Sequence, residues 1–120
     1  MANNDEDFQA AYLGDFMTAV FSAPNTVGFV QWGFWAGAHW LPTAALWNKD
    51  WTMRKHGKVF TDLVTKTWRT DAGGSTSPDG NYQARAFYGD YEVTVTRDGK
   101  ARTVPLKFAP ASGRQIISLP

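Results

Sequence analysis

The stretch GFVQWGFWAGAHWLP, from Gly28 to Pro42, holds three tryptophans, two phenylalanines, one histidine and three glycines. Aromatic faces pack against the C–H faces of a sugar ring, and polar neighbours can bond its hydroxyls. Glycine lets a ligand lie close to the backbone. Trp32 and Trp40 read as a sugar platform, with Gln31 and His39 as polar neighbours and Trp35 as a third ring that serves packing first. Other chemistry is sparse. The only glutamates are Glu6 and Glu92, set on different predicted elements, and Asp50 and Asp62 read as capping or surface groups. A glycosidase needs two carboxyls facing one bond, and no catalytic pair is assigned here. His39 and His56 lack the further ligands of a metal site, so they read as a polar rim residue and a solvated helix residue. Ser75, Thr76 and Ser77 sit in a turn-rich joint without a nucleophile elbow. No cofactor is expected.

The elements that would carry these residues fall into two dissimilar parts. From Asp5 to Phe21, Phe8, Tyr12, Phe16 and Val20 recur at helical spacing, with Leu13 and Met17 alongside. Asn4 or Asp5 can cap this helix, Glu6 and Asp7 suit its first turn, and Pro24 stops it. VGFVQWGFW reads as a short buried strand, HWLPTAALWNKDW as a long loop, and MRKHGKVFTDLVTKTW as a second helix weakened by Gly57. Helix, strand, loop and helix in that order suit an α/β repeat with a parallel strand. Such a strand cannot satisfy its backbone alone, so it is expected to join another sheet or pair with a second copy of the chain. Trp47 and Trp51 read as pinning the loop to the last helix, and Trp68 as packing where the two parts meet.

After Arg69, TDAGGSTSPDGN is a turn-rich joint, and YQARAF, YEVTVT, ARTVPLKF and QIISLP read as strands. Asp98-Gly99 is a strong hairpin signal and Asp79-Gly80 a weaker one. Tyr82, Tyr88 and Tyr91 fit either a second binding face or a half-buried strand. The expected organisation is α+β: a helix–strand–loop–helix segment over 1–69, then a small antiparallel β-sheet or sandwich over 70–120.

The whole-chain properties narrow the classes further. The chain has 120 residues, is 43% apolar and carries a net charge of +1 with scattered basic residues. That argues against a nucleic-acid footprint. No apolar run nears the roughly 20 residues of a membrane span. The acidic, polar start MANNDEDF does not read as a secretory signal. Absence of cysteine excludes disulfides and thiolate metal sites. All six tryptophans lie between residues 32 and 68, a clustering that folding alone does not require.

VGFVQWGFWAGAHWLP followed by AALWNKDWTMRKHGKVFTDLV resembles the C-terminal end of family-10 glycoside hydrolases, the endo-1,4-β-xylanases. Trp32-Gly33 and then Trp40 match the Trp-Gly pair and second tryptophan of that family's eighth strand and following loop. The preceding EDFQAAYLGDFMTAVFSAPNTVGF is similar to the seventh helix entering that strand, and GNYQARAFYGDYEVTVTRDGKARTVPLKF to a small β extension after the barrel. The resemblance implies a terminal fragment of a (β/α)8 barrel, with Trp32 and Trp40 lining a sugar cleft beside His39 and Trp35. It also implies that the family's two catalytic glutamates, on the fourth and seventh strands, fall outside this segment. The expected function is binding of a β-1,4-linked plant polysaccharide, xylan or β-glucan, without autonomous hydrolysis. The alternative is a small glycoside hydrolase whose cleft is completed by self-association. Expected partners are therefore a poly- or oligosaccharide and, through the exposed barrel strand, a second copy; nucleic acid and membrane are not expected. A xylanase-like parent would be secreted.

Overall fold

The computed structural model describes residues 5–118. The fold is α+β, with two helices and a two-stranded antiparallel sheet. Two compact units divide the chain, Met1–Arg69 and Thr70–Pro120.

In the first unit, helix α1 spans Glu6–Ser22 and helix α2 spans Lys55–Asp62, which continues through a π-helical turn at Leu63–Thr67. Asp5 caps α1, its carboxylate accepting from the amides of Asp7 and Phe8 at 3.0 and 3.1 Å. The two helices run parallel. Glu6 meets Arg54 and Asp7 meets Lys55 at their starts, while Phe21 stacks on Trp68 at their ends with centroids 4.2 Å apart. Trp68 thus packs within this unit, where sequence placed it at a junction. Small residues set the helix contact: a side chain at Gly14 would lie 3.3 Å from Val59.

The face of α1 expected to enter the core is largely solvent-exposed. Phe8, Tyr12 and Phe16 stack on one another at 6.1 and 6.2 Å, yet are 54%, 62% and 45% exposed. Met17 is the buried residue of the helix. The core of the unit is small: Met17, Ala36, Ala45, Leu46 and His56.

No strand ladder forms over VGFVQWGFW. Its one bridge is at the end, Trp35 with Trp47, and Val27 and Val30 are fully or nearly fully exposed. A strand needs a partner edge to satisfy its amides, and among the described residues no backbone bonds to that of 27–33.

In the second unit, β1 (Gly89–Arg97) and β2 (Lys100–Phe108) form the hairpin marked by Asp98-Gly99. Both turn residues have positive φ, 50° and 76°, as a tight two-residue turn between twisted strands requires. Tyr91, Val93 and Val95 half-bury one face, opposite Leu106, Val104 and Arg102 respectively. Thr94 and Thr103 bond across the strands at 2.8 Å. Pro105 sits in β2, where an unpaired outer edge tolerates its missing N–H. YQARAF and the described part of QIISLP form no strand ladder. The Asp79-Gly80 turn does close, through the Ser77 amide on the Asn81 carbonyl at 2.8 Å, but the residues flanking it do not pair. The last two residues of QIISLP lie outside the described residues.

Candidate functional site

The site is built on the segment between the helices. Trp47 is its hinge: its amide donates to Phe34 at 2.8 Å, and its carbonyl accepts from Ala36 at 2.9 Å. The Arg54 amide donates to Leu46 at 3.0 Å, tying the same segment to the start of α2. A turn from Asn48 to Thr52 closes the loop. The Asn48 amide donates to Thr52, the Asn48 side chain bonds the Thr52 hydroxyl, and Asp50 accepts from both the amide and the hydroxyl of Thr52. The Thr52 hydroxyl, then its amide, hold the Asp50 carboxyl below the ordinary value of 3.8. Asp50 is thus a turn-forming group, and so is Asp62 a surface one, its carboxyl lowered by Lys58 and Lys66 on the same helix.

Helix α2 is seated on this segment from below. His56 is 4% exposed and donates from Nε2 to the Ala45 carbonyl at 2.8 Å, which corrects the expectation of a solvated helix residue. The correction follows from Gly57: an added Cβ there would meet the Leu46 carbonyl oxygen at 2.2 Å. Glycine, which sequence counted only as a helix weakness, is what lets the helix start lie against the 45–46 backbone.

The aromatic residues divide by environment. Trp35 is half-buried, donates from Nε1 to the Lys49 carbonyl at 3.1 Å, and stacks on Trp51 at 5.3 Å and 11°. A side chain at Gly37 would overlap its ring. Trp35 is therefore a structural ring. Trp32 and Trp40 are each 78% exposed. His39 lies between their neighbourhoods. Its ring lies so close to Gly33, the residue after Trp32, that a Cβ there would meet it at 2.6 Å, and it lies 6.4 Å from the Trp40 ring. Its Nδ1 accepts from the Leu41 amide at 2.9 Å, which leaves Nε2 to bond outward. Gly33 has φ of 72°, a conformation that keeps the approach open to glycine alone. Gln31 is half-buried and makes no hydrogen bond among the described residues.

Trp51 was not singled out for this site by sequence. It stacks on Trp35, lies 6.2 Å from Phe34, and adopts φ of 66°. A non-glycine residue there is uncommon. The clue available was the turn-forming run Asn48-Lys49-Asp50 just before it. Among the described residues there is no group of three metal-ligating side chains and no helix long and apolar enough to cross a membrane.

Comparison with known proteins returns two relatives. The chain is 39% identical over 99 residues to anti-sigma-I factor RsgI6 of Acetivibrio thermocellus, matching 82% of this chain and 13% of that protein. It is 27% identical over 100 residues to endo-1,4-beta-xylanase 1 of Arabidopsis thaliana, matching 83% of this chain and 10% of that protein. The chain thus spans only about a tenth to an eighth of the curated relatives it matches. No family model matches it, and no solved structure does. The similarity to a xylanase is distant and partial, and it hints at a relation to carbohydrate.

Proposed function

We propose that this chain binds β-1,4-linked plant polysaccharide, xylan or β-glucan, through Trp32 and Trp40, with His39 and Gln31 bonding hydroxyls. The observation that carries the reading is the split among the rings of one stretch. Trp35 is packed and bonded, while Trp32 and Trp40 stand 78% exposed beside a histidine held by a backbone amide. Exposed large aromatics cost free energy in water unless something covers them, and sugar C–H faces suit flat rings. Glu6 is engaged by Arg54 at 3.4 Å, and Glu92 belongs to the other unit. That supports binding without hydrolysis over a cleft completed by self-association. The 39% identity to an anti-sigma factor adds a second reading. The same binding then serves as the sensing part of a longer regulatory protein.

Calorimetry with xylo- and cello-oligosaccharides tests the platform. Trp32→Ala and Trp40→Ala each lose about 1–3 kcal/mol of affinity in folded protein, as stacking and hot-spot truncations do. Unchanged affinity in both would assign the rings to another role. Reducing-sugar release should be absent, and equally absent in a Glu6→Gln/Glu92→Gln control. Release that vanishes in the control would establish catalysis instead.

A further inference from the structure

The second unit holds a groove of about 560 Å³ lined by Gln83, Ala84, Arg85, Ala86 and Phe108. Its two polar side chains are uncommitted: neither Gln83 nor Arg85 forms a hydrogen bond or ion pair among the described residues. Arg97, Arg102 and Arg114, by contrast, each have a partner within the unit. At one end, Tyr88 rests on Phe108 with ring centroids 5.1 Å apart, and it is 64% exposed. Tyr82 opens the same extended segment. Its ring lies over Gly74, where a Cβ would approach within 2.6 Å, and it is 49% exposed. Tyr91 is different: it is half-buried on β1 and its hydroxyl donates to the Phe87 carbonyl at 2.6 Å. The half-buried strand therefore accounts for Tyr91 but not for Tyr82 or Tyr88.

We propose that this groove is a second saccharide site, selective for a sugar that carries a carboxylate. Tyr88, backed by Phe108, takes the face of the ring, and Gln83 offers an amide to hydroxyls. Arg85 takes the carboxylate, because an unpaired guanidinium matches it with two parallel N–H donors. Charge complementarity decides the class of ligand. A neutral sugar would leave Arg85 as uncommitted as it is now, whereas a uronate satisfies it. This site stands on residues of Thr70–Pro120 alone and does not depend on Trp32 or Trp40.

The test titrates the whole chain with a glucuronic-acid-bearing xylo-oligosaccharide and with its carboxyl-reduced counterpart. NMR chemical shifts locate the binding. To isolate this site, both are titrated into a Trp32→Ala/Trp40→Ala variant. The acidic sugar should bind that variant roughly tenfold tighter than the reduced one, the worth of a hydrogen bond to a charged group. Added salt should narrow the difference. Arg85→Gln should erase the preference, and Tyr88→Ala should weaken both sugars. Equal affinities for the two sugars, or a preference that survives Arg85→Gln, would overturn the proposal. So would loss of all binding in the Trp32→Ala/Trp40→Ala variant, an outcome that leaves the platform reading standing. An acidic peptide of equal charge binding as tightly as the uronate would overturn the sugar assignment.

Discussion

Residues 27–34 and residues 35–54 are neighbours in sequence and alike in aromatic content, yet they are ordered in opposite ways. In the second segment, Trp35, Trp47 and Met53 share backbone bridges, and Trp35 and Trp51 stack. In the first, Val27 is fully exposed, Val30 is 89% exposed and Trp32 is 78% exposed. Hydrophobic content does not separate them. What separates them is a backbone partner: the 46–54 stretch returns alongside 34–36 and alongside the start of α2, and no described backbone group bonds to the backbone of 27–33. Most side chains pack where the chain itself has been bonded back; Phe29, half-buried against Phe16 and Phe60, is the exception.

Substitutions can break or sharpen that contrast. The largest effect belongs to Leu46→Ala, which truncates the largest fully buried side chain of the bonded segment. It should cost about 2–5 kcal/mol in a denaturant titration. Gly57→Ala comes next, since the new methyl meets the Leu46 carbonyl rather than a movable side chain; about 1–3 kcal/mol is expected from overpacking. Trp35→Phe keeps much of the stack but removes the donor to Lys49, for about 1 kcal/mol. On the other side of the contrast, Val27→Thr should stay within about 0.5 kcal/mol of the parent, as exposed substitutions do. A loss there as large as that of Trp35→Phe would mean that Val27 is packed against something in solution, a second copy included. Sedimentation would show which.

The smallest effect concerns Asp50. Its carboxyl is held down by Thr52, so the turn's contribution is present above the unfolded carboxylate value and lost as pH falls through the lower folded one. Thr52→Val should move the Asp50 midpoint upward toward 3.8 in an NMR titration. No movement would mean that the amide alone sets it.

Much of this was legible in sequence, and the failures share a cause. Helix α1, its Asp5 cap, helix α2 and the Asp98-Gly99 hairpin depend on neighbours a few residues away. Period and turn chemistry report such things directly. The strand over VGFVQWGFW, the outer strands of the second unit, and the burial of Phe8, Tyr12 and Phe16 all require a distant surface, and apolar spacing cannot say whether one exists. His56 was misread, and the packing role of Gly57 missed, for the same reason, because their partner is the backbone at Ala45 and Leu46. At the candidate site, sequence located the rings; which of them are free to meet a ligand depends on the 47–52 turn, through Lys49 and Trp51.

The parallel pairing of α1 and α2 has an electrostatic consequence. Both helix N-termini, each carrying roughly half a positive charge, lie at the same end, where like poles repel. Helix α2 has no side-chain cap and no acidic residue in its first turn. The carboxylates it lacks belong to its neighbour: Glu6 and Asp7 of α1 reach Arg54 and Lys55, and Asp7 raises the Lys55 ammonium pKa. One acidic turn thus serves as counter-charge to two helix poles and two basic side chains. The alignment of the pair is tied to ionic strength, and salt acts on both helix starts together.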